Sequence, residues 1–477
     1  MKFISKLGFC IFCIYIMLTL GYSQLYYRYV SSSNSIDATA FNNSHKIASP
    51  EFALPGDTIH VVYHSQDSIL YTYTSDFGQS WQTPVLIDIG NYPGIDLDLY
   101  GFRHLVWQSL DTIMGTYEIY YDCLDDYSPP INISETPNNS VSPDIVVDSL
   151  LTAHIVWAED VASYNQIYYR SCHAGMLGDT VRLSDFGTVQ ATSTLPSISI
   201  FQPNHRIYAL WDCYDPQCYS PYQVHMKYLE DTTWSLTEAW ASYLPLRHSS
   251  LDFDHGVDSV SGAWEDSTSG NLEVFFLGGN PGGGYATPGL SNYPVVSTIG
   301  SIWSYLFWHE DSAGFEDIYY DLYYFMTGWA NGTLRTAFNI DEQVRHPSCC
   351  GSFLIWTQGQ NPPYDIYFAD FGYPIGIAET ENLLTQNILQ VQPNPFKDKT
   401  TIIFDKTRYA QSMEIDIYDA VGCLVKSLSV PSSYSLVPSA VSWDGTDFQG
   451  KRLSAGTYFC KVQANNKRVV LKIVKLD

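Results

Sequence analysis

The sequence predicts an all-β protein: a β-propeller, which is a closed ring of four-stranded sheets, followed by a small immunoglobulin-like β-sandwich. Three observations support this fold class. Aromatic residues make up 15% of the chain and charged residues only 16%, a composition that suits pleated sheets and argues against disorder. Three short apolar phrases recur about every 50 residues, a repeat of blade size. The C-terminal residues lack this repeat and alternate apolar and polar side chains between Gly and Asp turns.

Residues 1–23 have the pattern of a signal peptide. Two lysines precede a short apolar run that ends at Leu20, and we expect cleavage before Gln24. The run is shorter than the roughly 20 residues of a membrane-spanning helix, and no other run is long enough to cross a bilayer. The sequence therefore predicts an exported chain with no transmembrane span in its mature form, either secreted or held at the outer cell surface.

Charge is distributed unevenly along the chain. Residues 24–390 contain ten basic and 42 acidic residues, a net charge of −32, whereas residues 391–477 have a net charge of +4. The acidic part should repel nucleic acid and anionic membranes, so we predict neither as a partner. The opposite sign at the C-terminus is consistent with a separable domain. Acidity also keeps an exported protein soluble, which is the simpler reason for it.

Seven units of the repeat lie between residues 24 and 378. A proline opens the first phrase in six units, and the missing opener falls near Ser250. These prolines are Pro50, Pro93, Pro143, Pro196, Pro294 and Pro347. The second phrase ends in an aromatic residue, at Tyr63, Trp107, Trp157, Trp211, Trp264, Trp308 and Trp356. The third phrase reads Ile-Tyr-Tyr or a variant, and in four units it begins ten residues after the tryptophan. A weaker fourth strand follows, as at residues 131–133 and 181–183.

Four strands in about 50 residues is the size of one propeller blade. One blade cannot bury its aromatic face alone, so blades must stack side by side, and closure of the ring removes exposed sheet edges. The openers favour seven blades, with six and eight as alternatives. The last unit, residues 347–372, has no clear fourth strand, while residues 25–29 resemble an isolated third phrase. We therefore expect N-terminal residues to complete the last blade.

One turn carries a recognisable motif. The run from Ser75 to Trp81 resembles the Asp-box (BNR repeat) of sialidase-like propellers, with Ser75, Asp76, Gly78 and Trp81 as its motif residues. The carboxylate can bond turn amides, the glycine permits the turn, and the tryptophan packs under the blade. Residues 25–375 thus resemble the sialidase (neuraminidase)-like propeller superfamily. In that superfamily the box lies away from the active site, so the resemblance implies a fold and no catalytic residue.

The resemblance to sialidases also implies which residues catalysis would require. Sialidases hold the substrate carboxylate with three arginines and use a Tyr nucleophile with an acidic partner. Arg28 is the nearest candidate for the first arginine, but its context departs from the family motif, and residues 24–390 contain only eight arginines. We therefore predict a propeller that binds a glycan or protein ligand without catalysis, with no catalytic residue assigned. The alternative is a secreted glycoside hydrolase of sialidase-like architecture.

Acidic residues follow the second phrase in five units. They are Asp111, Glu159, Asp160, Asp212, Glu265, Asp266, Glu310 and Asp311. Equivalent positions in successive blades share one face of the ring, so these carboxylates could bind sugar hydroxyls or Ca²⁺. The competing interpretation is that they end strands and solvate hairpin loops. No Asp-x-Asp-x-Asp-Gly loop is present, so we predict no cofactor and no metal site, with Ca²⁺ as the alternative.

The C-terminal residues form a separate module. Residues 379–390 are polar and lack the repeat, which indicates a linker. Residues 391–477 contain Pro-Asn-Pro-Phe, Trp-Asp-Gly and Ser-x-Gly-x-Tyr phrases in that order. They resemble the type A sorting domain of type IX secretion substrates and the related FlgD-like immunoglobulin fold. The resemblance implies that the type IX machinery is a partner, with export across the outer membrane and then cleavage or surface attachment. We expect a monomer.

Eight cysteines remain after cleavage of the signal peptide, and an oxidising compartment allows them to pair. Cys213 and Cys218 flank a short loop that a disulfide could close. Cys423 and Cys460 both lie in the C-terminal module, whereas adjacent Cys349 and Cys350 should not pair with each other.

Overall fold

The computed structural model describes residues 27–41, 45–50, 53, 56–126, 128–185, 190–201, 206–230, 232–242, 245–253, 260–267, 271–277, 283–285, 287, 289–299, 303–312, 315–324, 328–329, 343–371, 389–392, 394–404, 413–418, 424–428, 439–464 and 467–476. The chain divides into two compact units, residues 1–372 and 373–477. No helix occurs among the described residues, which confirms the all-β fold class.

The described part of the first unit forms seven antiparallel sheets. Sheet 1 contains β2 (Ile47–Ala48), β3 (Ile59–Ser65), β4 (Ser68–Thr74) and β5 (Val85–Ile89). Sheet 2 contains β6 (Asn91–Leu97), β7 (Arg103–Asp111), β8 (Thr116–Cys123) and β9 (Ile131–Asn132). Sheet 3 contains β10 (Ser140–Val147), β11 (Thr152–Val161), β12 (Tyr164–His173), β13 (Met176–Leu177) and β14 (Val181–Arg182). Sheet 4 contains β15 (Thr192–Phe201), β16 (Arg206–Tyr214), β17 (Tyr222–Glu230), β18 (Thr233–Trp234) and β19 (Glu238–Ser242).

The remaining sheets complete the series. Sheet 5 contains β20 (Leu246–Phe253), β21 (Val260–Asp266), β22 (Glu273–Leu277) and β23 (Gly283–Tyr285). Sheet 6 contains β24 (Leu290–Ile299), β25 (Trp303–Ser312), β26 (Phe315–Tyr324) and β27 (Gly328–Trp329). Sheet 7 contains β28 (Val344–Cys350), β29 (Phe353–Gln358), β30 (Tyr364–Asp370) and β1 (Tyr27–Ser33). In sheet 7, β1 pairs antiparallel with β30 as the outermost strand, so the N-terminal residues complete the last sheet as predicted.

The first strand of each sheet, here called its inner strand, is hydrogen-bonded to the inner-strand segment of the next sheet. Seven backbone N–H groups make these links at 2.7–3.2 Å. The pairs are Ile95 N to His45 O, Val147 N to Asp96, Ile198 N to Asp144, Leu251 N to Ser197, Thr298 N to Asp252, Gly351 N to Ser297, and Lys46 N to Ser348. Because sheet 7 is thereby linked to sheet 1, the sheets form a closed ring. Each link satisfies a backbone donor that its own sheet leaves unpaired.

The aromatic residue of each second phrase is buried, as the repeat predicts. The exposed fraction is at most 3% for Tyr63, Trp107, Trp157, Trp211, Trp264, Trp308 and Trp356. Each lies in the second strand of its sheet. Six of them pack in a core shared with neighbouring strands, and Trp356 packs against Tyr27 and Tyr367. Burial of one such side chain contributes roughly 2–3 kcal/mol, so this ring of aromatic residues accounts for much of the stabilisation of the unit.

The inner strands of sheets 2 to 7 each contain a β-bulge near their start. One residue of each bulge has a φ of 50–53°. These six bulge residues are Tyr92, Ser142, Leu195, His248, Tyr293 and His346. In five sheets the next residue is the opening proline, whose missing N–H suits a break in the ladder. A bulge re-aims a side chain, and this device recurs at the same level around the ring.

Pro50 does not fit this pattern. Strand β2 ends at Ala48, before Pro50, so the first sheet begins earlier than the sequence predicts. The interval from Pro50 to Pro93 is shorter than the other intervals between openers, as expected if Pro50 lies too late in the chain to be one. The closing link to Ser348 is made by the Lys46 N–H, which also lies ahead of Pro50.

The second unit forms two sheets, in the orders β31-β32-β35 and β34-β33-β36-β37. Their strands are β31 (Leu389–Gln392), β32 (Thr400–Phe404), β33 (Met413–Tyr418), β34 (Leu424–Leu428), β35 (Ser439–Trp443), β36 (Gly456–Ala464) and β37 (Lys467–Lys475). Side chains of both sheets share one core, which contains Phe396, Trp443 and Tyr458. This arrangement is a small β-sandwich, as predicted.

The C-terminal sequence phrases supply contacts that define this sandwich. Phe396 lies 5.4 Å from Trp443, and Trp443 lies 5.4 Å from Tyr458, measured between ring centroids. The Tyr458 hydroxyl donates to the Ser454 carbonyl at 2.8 Å. Gly445 has a φ of 72°, and a Cβ there would lie 2.7 Å from Lys475 Cε. Each phrase therefore has a structural reason within this unit.

Two sequence expectations are revised. Strand β31 begins at Leu389, so the last two residues of the predicted linker 379–390 are in a strand, while the rest of it lies outside the described residues. Cys213 and Cys218 are both free thiols, so no disulfide closes their loop. The loop is instead held by buried Asp215, whose carboxylate accepts from the Cys218 thiol at 3.3 Å. Cys423 and residues 1–23 also lie outside the described residues.

Candidate functional site

The turn with the predicted Asp-box motif connects β4 and β5. The Asp76 carboxylate accepts from the Ser80 N–H at 2.9 Å, the Ser80 hydroxyl at 2.6 Å and the Thr74 hydroxyl at 2.7 Å. The Thr74 oxygen also accepts from the Gly78 N–H at 3.0 Å. Thr74, the residue before Ser75, therefore contributes a hydroxyl that both donates to Asp76 and accepts from the turn. These bonds stabilise the turn.

The same turn packs against sheet 7. Gly78 has a φ of 77°, and a Cβ there would lie 2.6 Å from the Phe368 ring. Trp81 meets Phe368 edge to face, with ring centroids 5.3 Å apart. Arg28, the candidate substrate arginine, donates to the Phe77 carbonyl at 2.9 Å from the outermost strand. This region therefore joins sheets 1 and 7 at the rim of the ring.

The acidic residues lie at one face of the ring. Because Ser140 is opposite Glu159 and Leu246 is opposite Asp266, inner strands begin where second strands end. We call this side the upper face. Four of the predicted residues are buried, namely Glu159, Asp212, Glu265 and Glu310. The other four, Asp111, Asp160, Asp266 and Asp311, are partly exposed.

The buried carboxylates bond to the protein itself. Glu310 accepts from the Ser291 hydroxyl at 2.6 Å and Trp308 Nε1 at 3.2 Å, and Glu159 accepts from Trp157 Nε1 at 3.3 Å. Asp111 caps its own turn by accepting from the Ile113 N–H at 2.7 Å. These contacts are those expected if the residues stabilise strand ends and hairpin loops.

Asp212 and Glu265 instead reach the next sheet. Asp212 accepts from the His248 N–H at 2.6 Å, and Glu265 accepts from the Tyr293 N–H at 2.8 Å. Gln108 makes the same bond to the Ser142 N–H at 2.8 Å. A side chain of one sheet thus holds the bulge residue of the following sheet. Burial raises the pKa of Asp212 to about 6.

Bulge residues of sheets 5, 6 and 7 come together at the upper face. Tyr293 lies 4.7 Å from His248 and 4.5 Å from His346, measured between ring centroids. It also stacks on His309, at 6.3 Å. We call the whole group the axial cluster, because it stands at the start of the inner strands. Its members are Arg247, His248, Glu265, Tyr293, His309, Glu316, Arg345 and His346.

Glu265 is the anchor of the axial cluster. Its side chain is fully buried and accepts from Arg247 Nε at 2.8 Å and from His248 Nδ1 at 2.7 Å, besides the Tyr293 N–H. Burial opposes ionisation, but the His248 hydrogen bond and charge outweigh it, so the pKa of Glu265 lies below its usual value. A carboxylate held in this way orients an arginine, a histidine and a tyrosine at once.

His346 and Tyr293 of the axial cluster are neutral, whereas the pKa of Glu265 is lowered and favours its charged form. Burial lowers the pKa of His346 to about 3, so this imidazole is neutral at physiological pH. His346 Nδ1 has no hydrogen-bond partner among the residues that the structure describes. Burial and the charge of Glu265 raise the pKa of Tyr293, which therefore keeps its proton. The cluster thus offers a neutral ring nitrogen beside a hydroxyl.

Two arginines lie within electrostatic range of Tyr293. The Arg247 side chain is 52% exposed, and only its Nε is bonded to Glu265. Arg345 lies next to His346 and donates to Gln343. Both guanidinium groups act electrostatically on the Tyr293 hydroxyl. Guanidinium groups bind carboxylates in a planar, two-bond geometry, so this side of the cluster suits an anionic ligand.

Further charged groups lie along the inner strands. His45 Nδ1 is 3.0 Å from the buried Asp144 carboxylate. Burial opposes protonation, but Asp144 raises the pKa of His45 to about 9. Burial lowers the pKa of Lys46 to about 7, and its Nζ donates to the Pro93 carbonyl at 2.5 Å. These groups are satisfied within the ring and belong to its closure.

Sequence reasoning identified Glu265 of this cluster and missed its partners. A signal was present, because the residue before each opening proline becomes the bulge residue, and Tyr293 and His346 both hold that position. No group of three or more His, Cys, Asp or Glu side chains among the described residues is arranged to hold a metal ion. The same residues include no helix long and apolar enough to cross a membrane.

Comparisons with known proteins agree with this architecture. The FlgD Ig-like domain family matches residues 392–468, which confirms the predicted C-terminal fold. No curated protein matches the chain. Among solved structures, a family PL25 polysaccharide lyase, an ulvan lyase bound to -[GlcA(1-4)Rha3S]-, is similar at 9% identity with a TM-score of 0.51, over 74% of this chain and 98% of that chain.

Two further structures show weaker likeness. PorZ, a surface component of the type IX secretion system of Porphyromonas gingivalis, has 12% identity and a TM-score of 0.36, over 92% of this chain and 60% of that chain. The Hadza microbial sialidase Hz136 has 9% identity and a TM-score of 0.37, over 67% of this chain and 74% of that chain. The chain is thus an all-β protein whose propeller is similar in fold to the ulvan lyase and which also contains a C-terminal FlgD Ig-like domain.

Proposed function

We propose that the propeller binds a glycan that carries a carboxylate, such as a uronic or sialic acid, at the axial cluster. The observation that carries this proposal is that Arg247 shares the Glu265 carboxylate with the Tyr293 N–H, while Arg345 adjoins His346, whose ring contacts the half-buried Tyr293 ring. The guanidinium groups match a sugar carboxylate, and the tyrosine ring offers a face for the pyranose. His248 and His346 supply polar atoms that can bond hydroxyl groups.

The charge of the chain makes this location unusual. Residues 24–390 carry a net charge of −32 and only eight arginines. Exposed Arg247 and partly exposed Arg345 are therefore positive charges in a mostly negative region. Repulsion from distant carboxylates is screened beyond roughly 8–10 Å at physiological salt. Salt screens the attraction between these two guanidinium groups and a ligand in contact with them much less.

A binding panel tests the ligand class. Purified full-length chain is titrated with a sialyl oligosaccharide, a glucuronate-containing oligosaccharide and a neutral oligosaccharide of equal length. We expect binding of at least one acidic sugar and none of the neutral one. Equal binding of all three would contradict the role assigned to the arginines, and binding of none would contradict the proposed function. The two acidic arms separate sialic from uronic acid.

A second candidate function is cleavage of the bound glycan. It is favoured by the grouping of titratable side chains around Tyr293. The neutral His346 ring lies 4.5 Å from the Tyr293 ring between centroids, and Glu265 accepts from the Tyr293 N–H. A tyrosine hydroxyl that keeps its proton can donate it to a leaving oxygen. Product analysis of the same titrations distinguishes the cases: hydrolysis adds water to the product, and elimination leaves an unsaturated sugar. Intact glycan after prolonged incubation supports binding alone.

We also propose that the C-terminal domain, residues 391–477, directs export by type IX secretion to the outer cell surface or the medium. Support comes from the order of its sequence phrases and from the separate +4 charge of this region. The test expresses the full chain and a chain ending at residue 390 in a bacterium with this system. Export of the full chain alone is expected. Equal export of both chains would contradict the proposal.

A further inference from the structure

We propose a second saccharide subsite on the hairpin between β16 and β17, so that the upper face binds a glycan chain rather than a single terminal sugar. This inference rests on the proposed function and extends it. The hairpin, residues 215–221, lies at the same face as the axial cluster. Three tyrosines stand on it or beside it: Tyr214, Tyr219 and Tyr222.

The tyrosines form an exposed aromatic surface. Tyr214 is 40% exposed and Tyr219 is 86% exposed. Tyr214 is directly opposite Tyr222 in the sheet, and their ring centroids are 5.0 Å apart. Tyrosine supplies a large, rigid contact area with a polar tip, at low conformational entropy cost. These are the properties of a surface on which sugar rings stack.

The hairpin is rigid, as a preformed subsite requires. Asp215 is fully buried, and its N–H donates to the Pro221 carbonyl at 2.8 Å. The Asp215 carboxylate accepts from the Gln217 N–H at 3.0 Å. The loop is therefore fixed before a ligand arrives, which reduces the entropy lost on binding.

The position of the hairpin connects it to the axial cluster. Asp212 bonds the His248 N–H at 2.6 Å, and His248 belongs to the cluster. Tyr214 is two residues beyond Asp212 on the same face of β16, about 7 Å along the strand. Asp212 therefore connects the strand that carries Tyr214 with the bulge of sheet 5 that carries Arg247 and His248. A chain whose carboxylate meets Arg247 can thus continue across sheet 4 and cover Tyr214.

The opposite face provides a matched control. Tyr100 is 55% exposed and lies in the turn between β6 and β7, where an inner strand ends. Its exposure is similar to that of Tyr214, but it stands on the other side of the ring. Tyr100→Ala therefore removes the same kind of surface without touching the upper face.

The test compares a glucuronate-containing polysaccharide with its disaccharide unit, GlcA(1-4)Rha3S, as ligands of the full-length chain. We expect the Tyr214→Ala/Tyr219→Ala variant to bind the polymer about tenfold more weakly, the loss of about 1.4 kcal/mol of stacking, and to bind the disaccharide unchanged. Tyr100→Ala should bind both as the wild type does, and thermal unfolding verifies that each variant is folded.

The outcomes separate the two proposals. Equal polymer affinity in the wild type and the double variant would overturn the subsite and leave the axial site intact. The same loss for polymer and disaccharide would also overturn it, because the tyrosines would then act on the axial site itself. Failure of the wild type to bind either acidic ligand would overturn the proposed function for this sugar class, and the subsite with it.

Discussion

Replacement of Glu265 by glutamine perturbs the axial cluster at its anchor. The wild-type carboxylate accepts three hydrogen bonds, from Arg247, His248 and the Tyr293 N–H. A bond to a buried charged group contributes about 1.5–3 kcal/mol, and the Arg247 bond contributes less than about 1 kcal/mol because that side chain is half-exposed. Glutamine keeps one good acceptor, so we expect Glu265→Gln to lower the free energy of unfolding by about 3 kcal/mol.

Urea denaturation at pH 7 measures this change. Glu238→Gln, at an exposed position of β19, is the matched control and should alter stability by less than about 0.5 kcal/mol. The pH profile adds a second check. The folded-state pKa of Glu265 is lowered, so its contribution is present above the unfolded pKa of about 4.5 and is lost as the pH falls through the folded value. A variant as stable as the control would refute the anchoring role.

Three other predictions concern the ring itself. Gly78→Ala places a Cβ 2.6 Å from the Phe368 ring. In thermal unfolding it should lower stability by about 2 kcal/mol more than Gly101→Ala, a control with a similar φ of 81° and no atom near the added Cβ. Equal losses of stability in the two variants would contradict this packing. The raised pKa of Asp212, about 6, means that the folded state binds an extra proton between about pH 4 and 6. As the pH rises from about 4 to 6, the free energy of unfolding of the wild type should therefore fall by about 3 kcal/mol relative to that of Asp212→Asn. Parallel pH profiles of the two proteins would contradict this. Deletion of residues 24–33 removes β1 and exposes the edge of β30. Aggregation measured by light scattering should therefore be higher than after the control deletion of residues 24–26. Equal aggregation of the two variants would contradict closure of sheet 7 by β1.

The regular spacing of aromatic residues made the propeller predictable. Stacked sheets are the arrangement that buries an aromatic residue such as Trp157 or Trp308 in every second strand, and the unpaired third phrase before Pro50 predicted that β1 would complete the last sheet. Boundaries were less predictable. Pro50 was assigned as the first opener, although strand β2 ends at Ala48, and its short spacing to Pro93 was the sign of this error.

The candidate site was predicted only in part, for a physical reason. Glu265 belongs to a repeated acidic pattern, whereas His248, Tyr293 and His346 are unlike one another and come from three different sheets. They meet because a bulge with positive φ re-aims each side chain, and a single sequence does not display that geometry. Pattern reasoning also treated Asp212, Glu265 and Glu310 as members of one rim, although their contacts differ.

The central claim is that the axial cluster holds the carboxylate of a sugar. Calorimetric titration of the acidic oligosaccharide bound by the wild type, repeated with Arg247→Gln/Arg345→Gln and with the rim variant Arg28→Gln, tests it most directly. We predict a loss of at least about 100-fold in affinity for the double variant, equivalent to about 2.7 kcal/mol, and no change for Arg28→Gln. Unchanged affinity in the double variant would place the ligand elsewhere on the protein and contradict the claim.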